Sequence, residues 1–194
     1  MMHLHVTNRP KPLSHIARLA VFLILLFGLF SAGSSNAFTA KEIDASVDAA
    51  LDRFHKEVKG SREFLNVAKG VLVLPRVWKA GFVFGGEYGE GALMVGGKTV
   101  AYYSVASGSF GFQLGVQKKD IILVFMQEAA LKKFRASSGW KAGVDGSVAL
   151  VSVGVGESLD TTKTKEPIVG FVFGQKGLMY NLTLEGSKIT KLTK

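Results

Sequence analysis

Between residues 39 and 69 the apolar positions recur with helical spacing; from residue 70 onward they come in short β-branched and aromatic blocks closed by glycine or aspartate. Ile43, Val47, Ala50, Leu51, Phe54 and Val58 fall on an arc of about 100° when successive residues turn by ~100°. Thr39 and Glu42 supply the Ser/Thr-x-x-Glu box that starts a helix, and Gly60 ends it. A second short helix is predicted at 61–69, with Ser61 as N-cap, Phe64, Leu65 and Ala68 turned inward and Gly70 as terminator. Strand length and composition then mark 71–74, 82–88, 92–95, 99–105, 110–116, 121–125, 147–155, 168–173, 178–184 and 189–192. Several of these are apolar throughout rather than alternating, which implies burial on both faces. One helix interrupts them at 127–135, with Met126, Ala130, Leu131 and Phe134 on one side and Glu128, Lys132 and Arg135 on the other. Lys133 sits at the border, and Glu128 is spaced to pair with Lys132. The Thr-, Lys- and acid-rich stretch 159–167 reads as a flexible loop.

Glycine sharpens the strand reading. Of the 23 glycines, 21 lie after residue 59, and Gly-Phe-Val-Phe-Gly occurs twice, at 81–85 and 170–174. A glycine persists inside a strand where a bulge, a bend or a close backbone approach excludes a Cβ. The densest run, 81–91, superficially suggests a phosphate-cradling loop, but such a loop needs a helix behind it. Here Ala92-Leu-Met-Val95 continues as a strand, so a curved strand or hairpin is expected, with Gly85, Gly86 and Gly89 making the bends. The fold class that follows is α+β: two N-terminal helices and one mid-chain helix on a bent, mostly antiparallel sheet or partial barrel.

The first 37 residues predict a compartment. Arg9, Lys11 and Arg18 precede an apolar run at 19–30, and Ser35-Asn36-Ala37 places small residues at the −3 and −1 positions of a secretory cleavage site. Residues 1–37 are therefore expected to be a signal peptide cut between Ala37 and Phe38, with 38–194 a single domain delivered to the periplasm. An uncleaved anchor is the alternative; the apolar run falls short of the roughly 20 residues of a spanning helix. With no cysteine in the chain, neither a lipoprotein attachment site nor a disulfide framework is available. Net charge is +9, of which three charges leave with residues 1–37, giving +6. The stretch 38–58 is acidic, so the basic excess belongs to the body, which favours an anionic partner.

Catalytic material is thin. His55 is the one histidine beyond residue 37 and lies on the polar flank of the first predicted helix. Neither a Gly-x-Ser-x-Gly elbow nor a His/Cys cluster of zinc-binding spacing occurs. Glu87, Glu90 and Asp145 are the remaining candidates for acid and base, and spacing does not bring them together. The expectation is a protein that is not an enzyme and implies no cofactor and no metal. Binding material is richer: Arg76, Trp78 and Lys79 adjoin one another, Lys118 and Lys119 are placed in a turn, and Lys132, Lys133 and Arg135 crowd one helix. Aromatic side chains beside cations suit a membrane interface. Nucleic acid would use similar groups, but a secreted protein meets little of it.

Three segments carry a family resemblance: Ala68-Lys-Gly-Val-Leu-Val-Leu-Pro75, Lys79-Ala-Gly-Phe-Val-Phe-Gly-Gly-Glu-Tyr-Gly-Glu-Gly91 and Ser107-Gly-Ser-Phe-Gly-Phe-Gln-Leu-Gly115. With Ala130-Leu-Lys-Lys-Phe-Arg135, Gly139-Trp140, Gly143-Val-Asp-Gly-Ser147 and the 176–186 block in order behind them, the chain from about residue 41 to 192 resembles the SYLF lipid-binding domain in its bacterial form. The resemblance implies a non-enzymatic, lipid-binding domain; eukaryotic relatives bind phosphoinositide-containing membranes and some bind actin filaments. Eukaryotic members use a basic amphipathic N-terminal segment on membranes, whereas here an acidic helix stands there, and a periplasm holds neither actin nor phosphoinositides. The expected partner is thus another anionic lipid surface, bound peripherally. The alternative is an envelope structural or adaptor protein that recognises a second protein through a sheet edge. A membrane-spanning eight-stranded barrel is disfavoured by the continuous apolar strands and capped helices.

Overall fold

The computed structural model describes residues 38–81, 84–110, 115–152, 165–177, 184 and 186–194. Residues 1–37, with the expected cleavage site at Ala37, lie outside that set, as do most of the predicted 159–167 loop and the predicted strand 178–184 apart from Leu184. Helix α1 spans Ala40–Glu57. Its capping box closes as the sequence predicts: Glu42 N–H donates to Thr39 Oγ1 at 3.3 Å while Thr39 N–H donates to Glu42 Oε2 at 2.8 Å, a motif worth about 1 kcal/mol. Ile43, Val47, Ala50 and Phe54 are buried; each of the larger three contributes roughly 1.5–3 kcal/mol by leaving water. Helix α2, Ser61–Asn66, is shorter than predicted, and its N-cap is Gly60 in a left-handed conformation (φ 77°) rather than Ser61. Ser61 is instead buried, its hydroxyl 3.0 Å from His55 Nδ1.

Among the described residues eight strands follow: β1 Gly70–Gly81, β2 Phe84–Val95, β3 Lys98–Phe110, β4 Gly115–Phe125, then, after helix α3 (Glu128–Ala136), β5 Trp140–Lys141, β6 Ala149–Ser152, β7 Ile168–Gly177 and β8 Lys188–Leu192. They form one curled sheet in the order β5-β8-β3-β2-β1-β4-β7-β6. Every pairing is antiparallel except β6 with β7. The α+β, mostly antiparallel expectation holds. Strand lengths do not: the described part of 82–88, from Phe84, and 92–95 are one strand, and 71–74 continues through Pro75 to Gly81. The β2–β3 hairpin turns on Gly96 and Gly97, both at positive φ (57° and 74°), as a two-residue primed turn requires.

Alternation along the strands gives the sheet two buried faces. Leu72, Leu74, Val77, Leu93, Val105, Ile121, Leu123 and Phe125 pack with Leu131 and Phe134 of α3 and with Trp140. Val73, Ala92, Ile122, Val124, Phe171 and Phe173 pack under α1 and α2. Phe54 meets Phe171 and Phe173 at ring distances of 5.1 and 5.2 Å. This double cover accounts for the continuous apolar runs. Leu74 and Val77 face the same side although three residues apart, because β1 carries one extra residue against both neighbours: Leu74–Val77 spans Ile121–Lys119 on β4, and Val73–Trp78 spans Ala92–Tyr88 on β2. Within this bulge Arg76 has φ 50°, unusual for a residue with a side chain.

The glycines on β2 fit around the bulge. A Cβ on Gly91 would lie 1.9 Å from the Val73 carbonyl oxygen, and one on Gly89 would lie 2.8 Å from a Val77 methyl. These are close-approach glycines. Gly86, by contrast, faces open space, with only the Ser107 carbonyl oxygen at 4.0 Å from its built Cβ. No close neighbour there excludes a Cβ.

Candidate functional site

Asp120 organises the region around the bulge. Its Oδ1 accepts the Arg76 backbone N–H at 2.7 Å, which fixes the left-handed residue, and its Oδ2 accepts from Arg53 Nε and Nη2 at 2.9 and 2.7 Å, which ties α1 to the sheet. Against it β7 carries its own extra residue, with Gly174 at φ 60°. The sequence signal for Asp120 is an acid opening an apolar strand end. The three donors that converge on it come from remote segments.

Beyond the bulge, β1, β2 and β4 expose an unusual surface on the α1 side. Trp78 is 54% exposed, and Lys118 Nζ stands 5.7 Å from its ring centre, a cation–π geometry. In register, Lys118, Trp78 and Tyr88 form one row across β4, β1 and β2, and Val116, Ala80 and Gly86 form the next. Phe84, 73% exposed, extends the patch toward the strand ends. Gly86 and Gly108 keep it low, since neither carries a side chain. Scattered exposed apolar residues are ordinary, whereas a contiguous aromatic patch beside cations marks an interaction surface. Tyr88, Phe84 and Val116 were missed from sequence because they share the alternation of the buried Ala92 and Ile122 on the α1 side, and their exposure depends on how far α1 covers that face.

A cleft of about 200 Å³ lies where this patch meets the N-terminus of α1, lined by Phe38, Ser46, Arg76, Trp78, Tyr88 and Lys118 among others. The exposed Arg76 reaches the Ser46 hydroxyl with its guanidinium. Tyr88 OH donates to Glu90 Oε1 at 2.7 Å, and burial first, then this bond and the Glu90 charge, push its pKa up to about 12. Glu90 is itself held by Lys194 Nζ at 2.8 Å.

The predicted contact residues thus separate into three groups. Arg76, Trp78 and Lys118 converge on the exposed patch. Lys132, Lys133 and Arg135 are exposed on α3, which packs on the other face of the sheet, and no ion pair joins Lys132 to Glu128. Lys79 and Lys119 are buried, which corrects their assignment to a lipid-facing surface. Lys118 and Lys119 lie within β4, not in a turn, so alternation sends Lys118 outward and Lys119 inward. There Lys119 Nζ meets Glu87 Oε2 at 2.9 Å, with both side chains at most 3% exposed. Phe38, the expected first residue after cleavage, lines the cleft.

The carboxylates considered for catalysis are engaged elsewhere. Glu87 and Glu90 point to opposite faces of β2, one to Lys119 and one to Lys194, and Asp145 Oδ2 accepts the Lys141 N–H at 2.7 Å to close the 141–146 turn. They do not form an acid–base pair. His55 is half-buried rather than solvated, and burial, then the Arg62 charge, lowers its pKa. Among the described residues no cluster of three His, Cys, Asp or Glu side chains could hold a metal ion, and no helix is long and apolar enough to cross a membrane.

Comparison with known families matches residues 106–194 to the family model described as Ysc84, Las17-binding protein actin regulator. No curated protein matches the chain. The matched segment runs from the end of β3 through β4, α3 and β5 to β8, and so includes Lys118, Asp120 and the α3 cations.

Proposed function

We propose that the protein, whose residues 106–194 match the Ysc84 family model, is a non-enzymatic peripheral binder of anionic lipid. We assign the contact to the patch around Trp78. One observation carries this reading: Lys118 over the half-exposed Trp78 ring, beside Arg76, Tyr88 and Phe84. Trp and Tyr settle at the headgroup level, where one end of the ring is apolar and the other wet, and cations beside them meet phosphates. The +6 charge left after residues 1–37 adds long-range attraction. Signal cleavage before Phe38 and residence in the periplasm complete the proposal, with an anionic phospholipid such as phosphatidylglycerol or cardiolipin, or lipopolysaccharide, as the natural surface.

Flotation with vesicles tests it. Vesicles of equimolar phosphatidylglycerol and phosphatidylcholine should carry the protein up the gradient, neutral vesicles should not, and salt should weaken the association. A cation at the surface contributes about 1 kcal/mol, so Lys118→Glu, which removes one cation and adds an anion, should cost roughly 2 kcal/mol, about 30-fold in partitioning. Trp78→Ala should weaken it further. Unchanged partitioning of the folded Trp78→Ala/Lys118→Glu protein would sink the assignment. The Las17-binding description attached to the family favours a second reading, an adaptor that holds a protein partner. Strand β6, Ala149–Ser152, at the edge of the sheet among the described residues, is where a partner strand would add. Failure of wild type to float would favour that reading.

A further inference from the structure

The exposed cations of α3 have no role in the patch around Trp78. Leu131 and Phe134 turn α3 onto the sheet face opposite α1, which leaves Lys132, Lys133 and Arg135 pointing into solvent. Lys191 joins them: it shares the alternation of the buried Ile189 on β8 and pairs in register with Tyr103, whose ring packs on Phe134 at 4.9 Å. Among the described residues the positive charge of all four is left without an ion-pair partner.

The two basic surfaces also sit far apart. The Leu131 side chain lies against Gly70, within 2.9 Å of where that residue's Cβ would be, and Trp78 is eight residues further along β1. At ~3.3 Å per strand residue the separation is roughly 26 Å along the sheet, in addition to the change of face. On the face that carries the Trp78 patch, α1 exposes Glu42, Asp48 and Asp52, while α3 lies behind the sheet. A flat bilayer can therefore meet one patch at a time.

We propose that α3 forms a second contact for anionic phospholipid, so that one molecule bridges two anionic bilayers, one on each side of its sheet. This rests on the reading of the Trp78 patch as the first contact. The first contact combines aromatic and cationic groups, while the second is cationic, so the α3 contact is the more salt-sensitive of the two.

The test combines flotation with vesicle clustering, read as growth in particle size by light scattering, using the purified protein and equimolar phosphatidylglycerol and phosphatidylcholine vesicles. Wild type should float and cluster. Lys132→Glu/Lys133→Glu/Arg135→Glu should still float, because the Trp78 patch is intact, but should no longer cluster. Moderate salt should abolish clustering before flotation. Clustering by the triple variant at the wild-type level would overturn the proposal and point to self-association or another surface. A wild type that floats without ever clustering would overturn it as well. If the triple variant fails to float while Trp78→Ala/Lys118→Glu floats normally, the single contact is α3 and both readings fall, an outcome distinct from either failure alone.

Discussion

Replacing Glu87 by glutamine removes one charge from the interior without changing its shape, and the structure sets the size of the effect. Lys119 Nζ and Glu87 Oε2 are 2.9 Å apart, and both side chains are almost wholly out of water. At an effective dielectric of about 20 their attraction is roughly 6 kcal/mol. Lys79 is buried on the same face and next to Glu87 in register, but Glu87 forms its ion pair with Lys119 alone among the described residues. Glutamine would leave Lys119 as an uncompensated buried charge, and breaking such a pair typically costs about 3–5 kcal/mol. With a urea slope of ~2 kcal/mol/M for a domain of this size, the midpoint should fall by about 2 M. Lys119→Met should cost a comparable amount by stranding the carboxylate. The double variant Glu87→Gln/Lys119→Met should recover most of the loss, since an apolar replacement of the whole pair is often close to neutral. Equilibrium urea unfolding of the four proteins, followed by tryptophan fluorescence, closes the cycle. The reasoning is refuted if Glu87→Gln lies within about 1 kcal/mol of wild type, or if the two losses simply add in the double variant.

Asp120→Ala should cost roughly 3–5 kcal/mol, because it strands the Arg76 N–H at a strained backbone position and frees Arg53, whereas Arg53→Ala, which leaves the buried Asp120 its bond from the Arg76 N–H, should cost less, about 1–3 kcal/mol by the same urea assay. Gly91→Ala should lose about 3 kcal/mol or more through overlap with the Val73 carbonyl, while Gly86→Ala, facing open space, should change the melting temperature little. Tyr88 should titrate near pH 12 by ultraviolet absorbance, and Glu90→Gln should bring it back toward the ordinary tyrosine range. Since its folded pKa lies above the unfolded one, its contribution to stability is complete below pH ~10 and disappears as pH rises through 12. For His55 the shift has the opposite sign for a base: the fold favours the neutral ring, so its contribution is present above pH ~6.5 and is lost on acidification. Melting of His55→Gln should accordingly fall less than wild type between pH 7 and pH 5.

Local physics decides which elements the sequence announces. The Thr39–Glu42 box and the spacing from Ile43 to Phe54 act within one helix, and the helix at 128–136 is equally self-contained. The ten predicted strands became eight among the described residues because Gly89-Glu-Gly91 and Gln117–Asp120 continue strands β2 and β4 where breaks are predicted, 178–184 lies outside the described set apart from Leu184, and Trp140–Lys141 adds one. Pro75, which reads as a stop, is part of a bulge where the missing donor is tolerated. Lys118-Lys119 reads as a turn because adjacent charges are usually both solvated. Mid-strand alternation instead gives one to Trp78 and the other to a carboxylate 32 positions earlier, a pairing that depends on β1 lying between β2 and β4. Trp78 itself was legible as an aromatic between cations. That Arg76 and Lys118 join it while Lys79 turns away was not, since three-strand register and one extra residue decide it.

That extra residue at Pro75-Arg76 acts as a parity switch. Upstream of it the even-numbered positions of β1, Leu72 and Leu74, face α3; downstream the odd-numbered ones, Val77 and Lys79, do so. Deleting a single residue there would leave every other side chain of the strand present but would exchange inside for outside over 77–81, driving Trp78 toward the interior and Lys79 into solvent. The surface that carries the patch is therefore specified by the count of residues as much as by their identity. In a chain of this fold, a one-residue gap or insertion at that step would separate binders from non-binders more sharply than any substitution nearby.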